Sequence, residues 1–355
     1  MQIFHDDLIS VAHSFVEPTD GRGAYHQVRK VFYVLIKWPL LLIILLAIPA
    51  GLAGKPNSST LEITSETKRF SRGFKGRLEE IVATHHGCMG ISLKHLQTGE
   101  TISINGDEIF PTASTIKMAV MCAVFDALSS PSATRDYYSK TVYDESTSAS
   151  GSGFIQRFKK DTKLEVKELL HFMMTASDNT GTNMLVEWVG GLDPVNNWLE
   201  SKGFKSTRML ATIGSRRIWN KELRETWGLG MTTPNEMREL AEMIVKGKAG
   251  STTATDEMLR ILGHQYFDGG IASQVPPTVW VGSKSGSVNR SRSDVAIVGS
   301  PSGIYILSVY TKDNVNTAWD SSNEAEKRIR NVSRLVWKHF NPKVPFEQPK
   351  GAEKL

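Results

Sequence analysis

Met118-Ala119-Val120-Met121-Cys122-Ala123-Val124-Phe125 is apolar on every side, so it predicts a helix buried all round by other elements. The helix opens on Ser114-Thr115-Ile116-Lys117. A serine and a lysine three positions apart share a helix face, with Cβ atoms roughly 5–6 Å apart. A lysine at the mouth of such a helix is partly desolvated, which disfavours its ammonium form and makes it a usable base. Beside a hydroxyl, that is the layout of an activated serine nucleophile. The spacing alone is weak, because Ser65-Glu66-Thr67-Lys68 repeats it in a polar, surface-like stretch. A helix N-cap followed by a solvated lysine is the alternative reading of Ser114 and Lys117.

Two further segments bear on that choice. Ser177-Asp178-Asn179 is a polar triplet between the apolar runs 169–176 and 180–185. Lys284-Ser285-Gly286 follows Thr278-Val279-Trp280-Val281, a β-branched and aromatic run that reads as a strand. Taken singly they are an interhelical turn and a strand-end turn. All three motifs in this order, widely separated, are much harder to obtain by chance, and together they form a known catalytic set.

With these motifs the chain resembles the class A β-lactamase and penicillin-recognising serine hydrolase family. The stretch Gly90 to Asn105, with a turn at Gln97-Thr98-Gly99, looks like the family's first hairpin. Phe110-Pro111-Thr112-Ala113 leads into the nucleophile, and Thr232-Thr233-Pro234 resembles the exit of its Ω-shaped loop. The match runs from about Glu66 to about Phe340. The resemblance implies that Ser114 attacks a carbonyl carbon while Lys117 accepts or relays its proton. It implies that Ser177 passes a proton to the leaving nitrogen and that Asn179 holds the substrate's amide side chain. Lys284 would supply positive potential for a substrate carboxylate, Ser285 would hydrogen-bond that carboxylate, and Gly286 would let the strand approach the substrate closely. Backbone N–H groups of Ser114 and Ser287 would form the oxyanion hole, each donor worth about 3–4 kcal/mol of transition-state stabilisation.

The chain departs from the family where the acyl-enzyme is normally released. The family's Ω loop carries a glutamate that activates water, and that position falls on Asn220 in Trp219-Asn220-Lys221-Glu222-Leu223-Arg224. Asparagine is no base near neutral pH, and general-base assistance is worth roughly 10²–10⁴-fold. Slow deacylation is therefore expected. Glu222 is the nearest carboxylate and would serve only in a register shifted by two; otherwise it is a solvated charge on a short helix. Gly230 stands where the family often has an aspartate that braces this loop. Gly151-Ser152-Gly153 and Arg292-Ser293-Asp294-Val295 look more like the family's uncharacterised serine-hydrolase branch.

Composition fits an exported enzyme. The fractions of 40% hydrophobic and 22% charged residues are those of a globular chain. Arg22, Arg29, Lys30 and Lys37 contribute to the net charge of +5 and precede the apolar run Trp38 to Ala53. That run reads either as a signal-peptide core cut after Ala53 or as a retained membrane anchor from Val31 to Ala53. Either implies an exported, periplasmic or membrane-anchored extracytoplasmic protein. Cys88 and Cys122 could pair on export, although free thiols are the simpler reading. His85, His86 and Cys88 are too close together, with too few further ligands, for a zinc site. No cofactor is expected. No phosphate loop and no basic stripe point to nucleic acid.

The expected architecture is an α/β (α+β) fold in which helices flank an antiparallel sheet beside an all-α lobe, with the active site between the lobes. The expected order is a basic segment 1–37, the apolar segment 38–54, a linker 55–64, the hydrolase domain 65–343 with its lobe at about 112–265, and a tail 344–355. A helix over about 65–85 carries Phe70, Phe74, Leu78 and Ile81 on one face. Strands are expected at about 88–95, 100–105, 278–284, 293–299 and 303–311. Asn323 should cap a closing helix to about Phe340, and 146–153 is a low-complexity, mobile loop. Three functions fit this frame: a monomeric hydrolase of small-molecule β-lactams, a D-alanyl-D-alanine peptidase on cell-wall peptides, and a penicillin-binding protein or sensor that acylates without turnover.

Overall fold

Ile304-Tyr305-Ile306-Leu307 and Val309-Tyr310 lie in a strand buried on both faces, and that strand is central to the sheet. The structure, a computed structural model, describes residues 73–130 and 132–352. The expectations for 1–37, 38–54 and 55–64, for residues 65–72 of the first helix, Phe70 included, and for 353–355 lie outside the described residues. Among the described residues no helix is long and apolar enough to cross a membrane.

The first described helix, α1, covers 73–83. The large sheet comprises β1 (Cys88–His95), β2 (Thr101–Ile104), β8 (Val281–Val288), β9 (Ser291–Ser300) and β10 (Gly303–Lys312). It is antiparallel in the order β2-β1-β10-β9-β8. Between β2 and β8 the chain forms α2 (Lys117–Leu128), α3 (Val166–Thr175), α4 (Asn179–Trp188), α5 (Leu192–Ser201), α6 (Lys221–Trp227), α7 (Pro234–Val245) and α8 (Thr252–Leu262). The closing helix is α9 (Glu324–Phe340).

Period-two alternation sends Ile91, Leu93, Ala296, Val298, Tyr305, Leu307 and Val309 to one face, where Phe74 and Leu78 of α1 and Ile329, Val332, Val336 and Trp337 of α9 complete the core. On the opposite face α7 packs across β1, β9 and β10. There Arg238 Nε donates to Ser92 Oγ at 3.0 Å, and Lys94 pairs with Glu242 at 2.7 Å. The helical lobe is built around α2, whose residues Lys117 to Phe125 are all buried, as an apolar run without a polar face requires. Its neighbours are α3, α4, α5 and α8.

Several expected boundaries move. The strand expected at 278–284 is β8, beginning at Val281, because the chain before it turns, Val279 N donating to Pro276 O at 2.9 Å, and joins β9 only from Trp280 O, which accepts from Gly299 N at 3.0 Å. Trp280 lies just before the strand and fills space against Gly263 and Gly282, where a Cβ would meet its ring at 2.5 and 2.7 Å. The Lys284-Ser285-Gly286 motif therefore sits within the strand rather than at its end. The lobe is not purely helical. A ribbon pairs β4 (Lys140–Val142) with β5 (Lys163–Glu165), and a small sheet joins β3 (Phe110–Pro111), β7 (Gly230–Thr232) and β6 (Arg208–Met209). Asn323 caps α9 as expected, its side chain accepting from Glu326 N at 3.1 Å. Both cysteines are free thiols; Cys122 is buried and Cys88 only half so.

Candidate active site

Ser114 is the one partly exposed residue in an otherwise buried stretch from Thr112 to Phe125. It lies in a tight 3₁₀ turn, Ala113–Ile116, that feeds directly into α2. In such a turn side chains at i and i+3 eclipse, which keeps Ser114 and Lys117 on one side. Ala113 takes φ +44°, a left-handed conformation uncommon for alanine, so the turn is held against local preference. The restraint is visible: Tyr310 Oη of β10 donates to Thr115 Oγ1 at 2.7 Å, and Thr115 Oγ1 donates to Thr112 O at 2.8 Å.

Lys117 does not hydrogen-bond Ser114 in this conformation. Its Nζ contacts Ser177 O at 2.6 Å, Asn179 Oδ1 at 2.9 Å and Ser177 Oγ at 3.1 Å. Two acceptors and one hydroxyl suit a neutral amine, which donates twice and accepts once. Complete burial, followed by the charge of Lys284, pushes the Lys117 pKa well below the usual lysine range. The amine is thus a base by its surroundings.

Ser177 and Asn179 meet Lys117 because Asp178 organises the chain around them. Asp178 is the N-cap of α4, and its Oδ1 accepts from Gly181 N at 2.7 Å. Its Oδ2 accepts from Phe154 N at 2.6 Å and Ile155 N at 3.0 Å, tying the 151–155 segment to the helix. Ser177 just before it has φ +53°, which turns its hydroxyl toward Lys117. Asn179 N donates to Ser152 O at 3.0 Å and Asn179 Nδ2 to Ser150 O at 2.8 Å. The 146–153 segment expected as mobile is therefore fastened by Asn179, Thr180 and Asp178, and Gly151 and Ser152 line the cleft.

The third motif reaches the cleft through Ser285. Lys284 is fully buried, and its Nζ donates to Ser285 O at 2.9 Å. Burial lowers its pKa to about 8, and the nearby carboxylate of Asp294 opposes that fall. A Cβ on Gly286 would lie 2.7 Å from Thr112 O and 3.1 Å from Ser114 N. Glycine is needed here for the strand to reach the nucleophile's own turn, a closer partner than the substrate. Ser293 Oγ donates to Gly286 O at 3.2 Å from the neighbouring strand.

Ser114, Ser177, Asn179, Ser285 and Ser287 line one cavity of about 1650 Å³. Asn220 and Glu222 do not. Asn220 is the N-cap of α6, its side chain accepting from Leu223 N at 2.9 Å, and Glu222 is exposed. The residue of α6 that reaches the cleft is Arg224, donating to Ser215 Oγ at 2.7 and 3.1 Å. That wall carries a guanidinium in place of a carboxylate. Gly230 leaves no room for an aspartate, since a Cβ would lie 2.7 Å from both Arg208 O and Thr112 Oγ1. The segment 212–219 is braced instead by Arg217 on Glu187 and Trp219 on Asp193.

Sequence reasoning missed several of these residues. Arg224, Ser215, Asp268 and the buried Asp294 line the cleft although the sequence assigns none of them a role, Asp294 standing in the branch-like stretch Arg292-Ser293-Asp294-Val295. Asp294 Oδ2 accepts from Ile271 N at 2.7 Å, its Oδ1 has no hydrogen-bond partner among the described residues, and burial lifts its pKa to about 6. A charged residue in the apolar strand Val295-Ala296-Ile297-Val298 was the available signal.

A sequence model described as the beta-lactamase enzyme family matches residues 73–340. The chain is 21% identical over 275 residues to beta-lactamase VEB-1 of Pseudomonas aeruginosa, covering 74% of this chain and 89% of that protein. It is 28% identical over 259 residues to beta-lactamase AER-1 of Aeromonas hydrophila, covering 69% and 79%. Among solved structures, a beta-lactamase from Sphaerobacter thermophilus superposes with TM-score 0.67 and 26% identity, covering 76% of this chain and 98% of that one. A point mutant of PBP-A, captured as an acyl-enzyme with penicillin G, also gives TM-score 0.67, at 23% identity and 76% and 97% coverage.

Proposed function

Because the chain belongs to the beta-lactamase enzyme family, we propose that it opens the cyclic amide of β-lactams through an acyl-enzyme on Ser114. The observation that carries this is Lys117, fully buried and hydrogen-bonded to Ser177 and Asn179, which line the cleft together with Ser114. Ser114 Oγ bonds to the lactam carbonyl carbon as its proton passes to neutral Lys117. The carbonyl oxygen becomes an oxyanion, met by the N–H groups of Ser114 and Ser287. As the C–N bond breaks, Ser177 gives its proton to the leaving nitrogen and recovers one from Lys117, 3.1 Å away. Asn179 holds the substrate's amide side chain, while Lys284, Ser285 and the close-packed Gly286 form the wall that receives its carboxylate.

Water must then attack the ester. The Ω-side wall offers Arg224 and Ser215, and Asn220 is committed to capping α6. Without a carboxylate there, release is slower by roughly the 10²–10⁴-fold that a general base supplies. The catalytic unit is the 65–343 domain. Basic residues ahead of the apolar run 38–53 support export, with the run either cleaved or kept as an anchor.

Incubation with a fluorescent penicillin, followed by peptide mass spectrometry, tests the assignment. The expected result is one adduct, on Ser114, absent from Ser114→Ala, and a nitrocefin burst followed by a slow steady state. An unmodified Ser114 would sink the enzyme reading, and sustained rapid turnover would sink the slow-release reading alone.

A further inference from the structure

Lys327, Arg330, Asn331 and Arg334 recur at i, i+3, i+4 and i+7 and so share one face of α9, beside the apolar stripe that packs on the sheet. With Ser321 and Gln348 they line a pocket of about 290 Å³. Its lining carries three cationic side chains and no carboxylate. Like charges crowded at one end of a low-dielectric pocket raise its positive potential and favour an anion there.

Arg330 is the informative member. It is only 8% exposed, yet no hydrogen bond or ion pair to it is found among the described residues. Its stem is buried, whereas its nitrogens are not sealed from solvent: the guanidinium, with no protein acceptor among the described residues, faces the pocket, where an anion can meet it. Two carboxylates stand nearby, and the charge of Asp320 acts on Lys327. Glu326, one turn earlier, accepts from Arg292 Nε at 3.1 Å, and Asp320 accepts from Ser322 N at 2.8 Å. The surrounding wall is pre-organised: Arg334 Nε donates to Gln274 Oε1 at 3.1 Å, and Gln274 Nε2 donates to Gln348 Oε1 at 2.7 Å. Ser321, Arg330 and Gln348 also line the large cleft that contains Ser114, so the two cavities meet at Arg330.

We propose that this pocket binds a multiply charged oxyanion, with Arg330 as its principal ligand and Lys327 and Arg334 beside it. The forked donors of a guanidinium match the paired oxygens of a phosphate or carboxylate, and Ser321 and Asn331 add neutral donors. The anion comes either free from solution or as a substituent on a molecule whose other end reaches Ser114. The binding site stands independently of whether Ser114 acylates.

Calorimetric titration of the full chain with inorganic pyrophosphate tests the proposal. Saturable binding with one site per chain is expected, weakening as salt is raised. Arg330→Gln should weaken it by about tenfold or more, the loss of a charge-assisted bidentate contact. Lys327→Ala, at an exposed position that leaves folding intact, should weaken it about threefold by removing one partly screened charge. No saturable binding up to about 10 mM, or equal affinity in both variants, overturns the site. In the second arm, saturating pyrophosphate is added during fluorescent-penicillin labelling. Slower labelling identifies the anion as a substrate substituent, whereas unchanged labelling with intact binding identifies a free anion.

Discussion

Replacing Asp178 with alanine should unfasten the active site while leaving every proposed reacting group in the sequence. The carboxylate is 1% exposed and accepts from three backbone amides: Gly181 N at 2.7 Å, Phe154 N at 2.6 Å and Ile155 N at 3.0 Å. Alanine leaves the Gly181 and Ile155 amides buried without acceptors, while the half-exposed Phe154 amide recovers water. The unmet Ile155 amide costs about 1–3 kcal/mol and the lost N-cap bond to Gly181 about 1 kcal/mol, so a loss of about 2–4 kcal/mol is expected. Asp178→Asn would keep one carbonyl and satisfy either the helix or the loop, for a loss of about 2 kcal/mol. Urea unfolding of the wild type and both variants measures this, as a fall in midpoint at constant slope. Loosening residues 151–155 also frees the carbonyls that hold Asn179, so penicillin labelling should slow under conditions where Asp178→Ala is still folded. A loss below about 1 kcal/mol for alanine, or asparagine as damaging as alanine, would refute this account of how the site is held.

Gly286→Ala places a Cβ 2.7 Å from Thr112 O and 3.1 Å from Ser114 N. The nucleophile turn must shift, and labelling of Ser114 should slow by about 10–100-fold; a change within twofold shows the strand can yield instead. Lys284, with a pKa near 8, loses its charge as pH rises through that value, so KM for a carboxylate-bearing β-lactam should climb above about pH 8. A KM flat to about pH 9.5 would remove Lys284 from that role. Asp294 titrates near 6 when folded and about 3.9 when unfolded, so the native state holds more protons between those values. Stability should therefore fall as pH rises from about 4 to 6, and Asp294→Asn should abolish that slope and move the KM rise to lower pH, since Asp294 sustains the charge on Lys284. Asn220→Glu should leave deacylation within about twofold of wild type, because the side chain caps α6 outside the cleft. A large gain, read as faster recovery of free enzyme after wash-out, would show that position 220 reaches the acyl group.

What was legible in the sequence followed from how local each signal was. The first strand, Cys88–His95, and the cap at Asn323 were readable because alternation and capping are decided by neighbouring residues. The start of β8 was not, because Thr278-Val279-Trp280 has strand propensity but Val279 N bonds back to Pro276 O, so the chain is still turning there. The same distinction runs through the cleft. Ser114, Ser177 and Ser285 line one cavity although 171 positions separate the first from the last, and a motif set could name them in advance. It could not say that Lys117 would face Ser177 and Asn179 in this state, since that depends on a left-handed turn at Ser177 and on the three amides gathered by Asp178. Nor could it place Arg224 in the wall and Asn220 outside it. Residues four apart on a helix share a face, but Asn220 is the N-cap, its side chain turned back onto Leu223 N, while Arg224 reaches Ser215 on a segment braced by Arg217–Glu187 and Trp219–Asp193, contacts that no local pattern links. A residue type at an aligned position therefore identifies chemistry only once the elements that aim it are known. On this wall they aim a cation at the cleft, which is why release of the acyl group, rather than its formation, is the step in which this chain should differ from its relatives.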